Sequence, residues 1–303
     1  MKIQRRAFLG STVAGTAGAL TSGNFAQAAP VDRDPNALVS LTGDLKVSRI
    51  GFGTGMRGWQ QESNQTRLGR EKFDSLIRHA YDRGVRLFDA ADLYGTHPYF
   101  TRALAGRARE SYALVSKIWW REDRGLKHQE RPDADVCVAR FLKEFNTDYL
   151  DVVQLHCVTS PTWPDELRKQ MDILEKLKQK GMIRAHGVSC HSIGALEAAA
   201  KEPWVEVVHA RINPYGTKMD GPAEKVVPVL KKIHAAGKGI IGMKLVGEGQ
   251  FRDDPQKREH AVNFVVGLGC VNAMIVGFEK EAEIDEFQSR VARALASAAP
   301  VEG

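Results

Sequence analysis

Four side chains in this 303-residue sequence have types and an order that suit proton transfer. They are Asp89, Tyr94, Lys117 and His156. Asp89 and Tyr94 stand in Leu87-Phe88-Asp89-Ala90-Ala91-Asp92-Leu93-Tyr94-Gly95. Lys117 closes Val115-Ser116-Lys117, and His156 closes Asp151-Val152-Val153-Gln154-Leu155-His156. A tyrosine, with a pKa of about 10, is a weak acid at neutral pH. A lysine ammonium beside it favours the phenolate and lowers that value, while a carboxylate holds the ammonium charged and in place. Donors of this kind, converging on one oxygen, stabilise negative charge as it develops there. Each residue alone has an ordinary alternative: a turn tyrosine, a solvated lysine, a core histidine. What sets them apart is that all four close or follow an apolar run.

Those runs repeat at intervals of roughly 30 residues, the length of a strand–helix unit. They are Val47 to Phe52, Val85 to Ala90, Tyr112 to Ile118, Tyr149 to His156, Ile183 to Ser189, Val205 to Ile212, Gly239 to Leu245 and Ala273 to Phe278. Between them apolar residues recur three and four apart, as in Phe73-Leu76-Ile77-Ala80, Met171-Leu174-Leu177 and Val226-Val229-Leu230-Ile233. That period marks amphipathic helices. Eight near-continuous apolar strands, each followed by a helix, predict a (β/α)8 TIM barrel. Ahead of it, Leu38 to Ile50 reads as a β-hairpin around Thr42-Gly43-Asp44. An open doubly wound sheet is the competitor, because Gly51-Phe52-Gly53-Thr54-Gly55 superficially matches a dinucleotide fingerprint. The following Met56-Arg57-Gly58-Trp59 does not open a helix, which that fingerprint requires.

The first 29 residues differ from the rest. Arg5 and Arg6 precede Phe8-Leu9, then a Gly/Ala/Ser/Thr-rich run reaches small residues at Ala26-Gln27-Ala28-Ala29. This is the layout of a cleaved export signal. The expected division is a leader over 1–29 and one barrel domain over 30–303. The formal charge of +6 falls to +3 without Lys2, Arg5 and Arg6. No basic stripe remains, so nucleic acid is not an expected partner. The leader is too short and Gly-rich to span a bilayer, so stable membrane association is not expected either. Cys137, Cys157, Cys190 and Cys270 form no CxxC pair, and buried thiols are expected. His156, His186, His191 and His209 raise a metal-dependent barrel hydrolase as an alternative. The His-x-His that usually opens such sites is missing from the first strand, and no metal is expected.

The tetrad in its strand-end contexts resembles the aldo-keto reductase superfamily, from about Leu38 to the C-terminal helix. The resemblance implies reduction of an aldehyde or ketone to an alcohol, or the reverse, by hydride transfer from a nicotinamide dinucleotide. It implies Tyr94 as the acid/base, Lys117 as the group that tunes it, Asp89 as the partner of Lys117, and His156 as a second donor. Gly187-Val188-Ser189-Cys190 resembles the strand-five Gly-Val-Ser-Asn that holds the nicotinamide carboxamide, with Cys190 in place of Asn. His209 falls where the family carries a strand-six glutamine. Gly242-Met243-Lys244-Leu245 resembles one branch of the superfamily, with Met243 where others have a stacking aromatic. Val276-Gly277-Phe278-Glu279-Lys280 resembles the loop that meets the cofactor phosphates. The implied cofactor residues are therefore Thr54, Ser189, Cys190, His209, Met243, Lys244, Leu245, Gly277 and Lys280. NADP is the implied cofactor, with NAD the alternative and Lys280 the candidate for a 2′-phosphate. Trp59, Trp119, Trp120 and Trp163 are candidates to line a pocket for a small carbonyl substrate. A nucleotide-binding sensor with little turnover is the remaining alternative. The Arg-Arg-x-Phe-Leu pattern resembles a twin-arginine signal, which implies a periplasmic protein and the twin-arginine translocase as a partner in export.

Overall fold

The hairpin comes first, with β1 (Leu38–Thr42) and β2 (Leu45–Ser48) paired antiparallel. Gly43 turns the chain between them at a φ of +51°, where a side chain would be strained. Eight parallel strands follow: β3 (Ile50–Gly53), β4 (Leu87–Asp89), β5 (Ala113–Trp119), β6 (Leu150–Val158), β7 (Ile183–Cys190), β8 (Val207–Arg211), β9 (Gly239–Met243) and β10 (Ala273–Val276). They close into a barrel in chain order, with β10 pairing to both β9 and β3. The expected TIM barrel with its hairpin is the observed architecture. The computed structural model describes residues 33–120 and 131–297. The leader, with its twin-arginine pattern and cleavage site, lies outside the described residues.

Helices cover the barrel: α1 (Asn64–Arg67), α2 (Arg70–Asp82), α3 (His97–Ala103), α4 (Ala134–Phe145), α5 (Trp163–Glu166), α6 (Arg168–Gln179), α7 (Ile193–Lys201), α8 (Ala223–Ala235), α9 (Pro255–Gly267) and α10 (Glu281–Ser297). The three apolar stripes read from the sequence are buried faces of α2, α6 and α8. They pack on the outward side chains of the strands, such as Val153, Val188 and Val208. None of the four cysteines is disulfide-bonded, and all are buried. No helix among the described residues is long and apolar enough to cross a membrane.

The run Val47 to Phe52, expected as one strand, is two elements. It breaks at Arg49, where the chain leaves the hairpin and enters the barrel. The Ser48 hydroxyl binds both sides of that step, donating to the Ile50 carbonyl at 2.5 Å and accepting from the Arg86 amide at 2.7 Å. The hairpin then plugs the barrel mouth at the strand beginnings. Leu41, Leu45 and Val47 pack against the inward-facing Leu87, Ala113, Val152, Ala185 and Val207.

Along each strand the inward residues are every second one. The lowest layer is apolar and sealed by the hairpin. The next layer is polar and equally buried: Asp89, Lys117, Gln154, Ser189 and His209. Polar side chains are thus concentrated toward the strand ends, where barrels of this type carry their sites.

Candidate functional site

Lys117 and Asp89 are the centre of that polar layer, each almost fully buried. The Lys117 ammonium donates to Asp89 Oδ1 and, at 2.8 Å, to the Ala90 carbonyl. Burial alone would push the Asp89 carboxyl up, but the Lys117 ammonium, with the neighbouring His209 ring, outweighs it and holds it below its ordinary range. Burial draws Lys117 below its ordinary value against the pull of Asp89. Two buried charges are tolerable only because each satisfies the other.

Tyr94 ends the 3-10 turn Asp92–Tyr94 that follows β4, and Gly95 takes the left-handed conformation behind it. Its hydroxyl stands 3.3 Å from His156 Nε2, and the two rings meet edge to face at 5.6 Å. The Lys117 ammonium is 5.5 Å from the Tyr94 ring centroid. His156 reaches this position through a bulge. Between Leu155 and Val158 β6 has one residue more than its partner β7, and Cys157 there adopts a φ of +61°. Bulges of this kind re-aim a side chain at a strand end. Burial, then the positive charge of Lys117, keeps the His156 ring well below its ordinary 6.5, so the ring is neutral.

The acidity of Tyr94 differs from the sequence-based expectation. Burial, and then the Asp89 carboxylate, push the phenol well above its ordinary value of 10.0. Asp89 neutralises the lysine charge that was to lower it. The hydroxyl is held protonated, which suits a donor to an alkoxide, itself a far stronger base than a phenolate.

A cleft opens above these residues, lined by Tyr94, Lys117 and His156 on one side. Ser189, Met243, Lys244, Leu245 and Gly277 line the other parts. Ser189 Oγ is fully buried with no hydrogen-bond partner among the described residues. An unsatisfied buried hydroxyl facing a cleft costs stability unless a ligand completes it.

The other expected cofactor residues are elsewhere. Cys190, one residue beyond Ser189, points the opposite way into the helix layer among apolar side chains. Burial pushes its thiol well above the ordinary value. Thr54 is also fully buried, and its hydroxyl donates to the Asp89 carbonyl at 2.8 Å and meets Thr96 Oγ1 at 2.9 Å. It ties the ends of β3 and β4 together beneath the cleft. His209 lies below Asp89, its Nε2 3.0 Å from Oδ1 but without hydrogen-bond geometry. Lys280 is exposed on a second hollow.

The tryptophans divide. Trp119 packs edge to face on both Trp59 and His156, at 5.5 and 5.3 Å. Trp120 packs on the hydrophobic core instead. Trp163 is buried, and its indole N–H donates to the Ala195 carbonyl at 3.2 Å, so it is a core residue and not a pocket wall. Of the histidines, His156 and His191 both line the cleft with ring centroids 6.2 Å apart, while His186 stacks on Trp204 at 4.2 Å and meets Glu175 at 2.9 Å. Among the described residues no three metal-binding side chains converge.

Sequence reasoning missed the segment after β9 that lines the cleft, Val246 to Gly249. Gly247, Glu248 and Gly249 all have positive φ, and the Gly-x-Gly spacing was the available signal. It also missed Gly55 and Gly58 as packing positions, because a Cβ at either would overlap the Tyr94 ring.

The model of the Aldo/keto reductase family matches residues 49–293. The chain belongs to that family. Among curated aldo-keto reductases, YhdN of Bacillus subtilis is 27% identical over 241 residues, covering 73% of this chain and 67% of that protein. The chain thus spans about two thirds of the length of that relative. A solved aldo-keto reductase homologue from Pseudomonas aeruginosa superposes with a TM-score of 0.68 at 25% identity, over 86% of this chain and 96% of the other. An aldo-keto reductase from Klebsiella pneumoniae, solved in complex with NADPH, superposes with a TM-score of 0.61 at 21% identity, covering 88% and 91%. The aldo-keto reductase fold therefore spans nearly all the described residues.

Proposed function

We propose that this aldo-keto reductase interconverts an aldehyde or ketone and its alcohol, with a nicotinamide dinucleotide in the cleft above the tetrad. The observation that carries this reading is the convergence of the Tyr94 hydroxyl and the neutral His156 ring over the buried Lys117–Asp89 pair. Ser189, with its orphaned hydroxyl, fits an amide such as the nicotinamide carboxamide, and Met243 offers an apolar face to the ring. When bound, the dinucleotide supplies or accepts a hydride at the substrate carbon.

The chain's residues handle the oxygen. Tyr94 donates its hydroxyl proton as the carbonyl oxygen gains charge, and recovers it in the reverse direction. His156 Nε2, beside that hydroxyl, orients the carbonyl. Lys117 keeps a positive charge beneath the oxygen, at a position Asp89 and the Ala90 carbonyl fix. Trp119 and Trp59 form an aromatic wall on the substrate side.

We further propose that residues 1–29 are a twin-arginine leader and that 30–303 form the mature, periplasmic enzyme, delivered by the twin-arginine translocase. The basis is the Arg5-Arg6 pattern and the small residues near Ala29. The enzymatic reading is tested by following loss of reduced-nicotinamide absorbance with a panel of aldehydes and ketones. Turnover that disappears in Tyr94→Phe supports it. Nucleotide binding with no turnover on any carbonyl would replace the enzyme with a nucleotide sensor.

A further inference from the structure

The cleft above Tyr94 continues past Met56, Val246 and Gly277 into a second hollow over the start of α10. On the reading that the cleft holds a nicotinamide dinucleotide, its adenosine half would extend into this hollow. The two spaces share their wall, so the pyrophosphate can pass from one to the other without leaving the groove.

The hollow is a poor place for an additional phosphate. Its arginines are already matched to carboxylates. Arg252 Nη2 is 2.7 Å from Glu279 Oε2 and 3.3 Å from Glu283 Oε1, and Arg258 Nη2 is 2.7 Å from Glu286 Oε1. Glu283 goes further. Its other oxygen, Oε2, accepts the backbone amides of Glu279 at 2.8 Å and Lys280 at 3.2 Å. Amides at the start of a helix are where a bound phosphate would take its hydrogen bonds, and here the chain's own carboxylate holds two of them, those of Glu279 and Lys280 just ahead of α10. Burial works against a charged Glu279, but hydrogen bonds from Arg252 and Asn64 outweigh it and keep the carboxylate ionised. Lys280 is exposed, with Glu279 and Glu281 on either side in sequence.

We propose that this hollow selects NAD(H) over NADP(H), with Glu283 as the residue that excludes a 2′-phosphate. A phosphomonoester brings close to two negative charges. It must displace Glu283 from its two amides or sit beside it, and like charges so placed are strongly unfavourable. A ribose 2′-hydroxyl is a donor, and a carboxylate is an acceptor for it. On this proposal Glu283, rather than Lys280, sets the choice between the two dinucleotides.

The test is equilibrium titration of the purified full chain with NADH and with NADPH, by calorimetry or quenching of tryptophan fluorescence. NADH is expected to bind at least about tenfold more tightly, and the gap should narrow as salt screens the carboxylates. Glu283→Gln keeps an oxygen that can accept the Glu279 and Lys280 amides while removing the charge, so it should tighten NADPH relative to NADH. Glu283→Arg should reverse the preference. If the wild-type protein binds NADPH as well as NADH, or Glu283→Gln moves both alike, the selection proposal is overturned while the cleft remains a nucleotide site. If neither nucleotide binds, the reading of the cleft itself fails, and the selection proposal with it.

Discussion

Gly55 has no room for a Cβ because the Tyr94 ring occupies that space. The glycines after β3, which superficially match a nucleotide-binding fingerprint, are thus accounted for by the ring they accommodate. Gly55→Ala should fold, since the overlap is with one side chain at the edge of the cleft. It should push Tyr94 off His156 and lower turnover by on the order of 10²-fold, the scale of a misplacement near 1 Å. Unchanged activity with an unchanged melting temperature would mean that the position of Tyr94 is not set by Gly55.

Tyr94→Phe keeps the ring on Gly55 and Gly58 and removes only the hydroxyl. Turnover should fall by roughly 10²-fold or more, as expected for loss of a general acid. Nucleotide affinity should change little. Near-wild-type turnover would assign the proton to another group, with His156 the first to examine.

The Lys117–Asp89 pair makes a prediction about stability. Asp89→Leu leaves a buried ammonium without its carboxylate and should cost about 3–5 kcal/mol. Adding Lys117→Met to that variant removes the stranded charge and should recover much of the loss, though not the activity. Urea unfolding of the two variants measures it. Equal stability of the single and double variants would show that the pair is not coupled as its geometry implies.

Four buried histidines set the pH dependence. Burial is the largest cause in holding His97, His156, His186 and His209 below their ordinary 6.5 in the folded chain. A depressed folded value means the unfolded chain takes the proton first. Stability is therefore full above pH 6.5, declines as pH falls from 6.5 toward the folded values, and levels off below them. Each histidine contributes a slope of up to about 1.4 kcal/mol per pH unit across its window. Melting temperature should be flat from neutral to mildly basic pH and drop between about pH 6.5 and 5, before most carboxylates titrate. A flat profile down to pH 5 would show that these rings titrate normally.

Much of the barrel is legible because a strand buried on both faces must be apolar throughout, and eight such runs leave little choice of architecture. The tetrad is legible because its four members end or follow successive strands. What the sequence does not display is facing. Ser189 and Cys190 are neighbours, yet the period of two turns one into the cleft and the other into the helix layer. The same alternation separates Trp119 from Trp120. It was available as a rule, but assigning it needs the register of β7 and β5. The bulge that aims His156 arises from pairing across the fold, and local patterns do not encode it.

The last prediction concerns export. A twin-arginine leader directs transport of folded proteins, and a nicotinamide enzyme has reason to use that route, because its cofactor is abundant only inside the cell. Nucleotide bound before export stabilises the fold by RT ln(1 + [L]/Kd). The mature enzyme is then expected in the periplasm already folded and carrying nucleotide. Replacing Arg5 and Arg6 together by lysine should leave a folded protein in the cytoplasm with its leader uncut. Cell fractionation with an immunoblot reads both location and length. Mass spectrometry of nucleotide released from the periplasmic protein reads its cargo. Periplasmic delivery that persists in the double variant, or in cells lacking the twin-arginine translocase, would remove the export route. Delivery of an empty protein would leave the route intact but break its link to the cofactor.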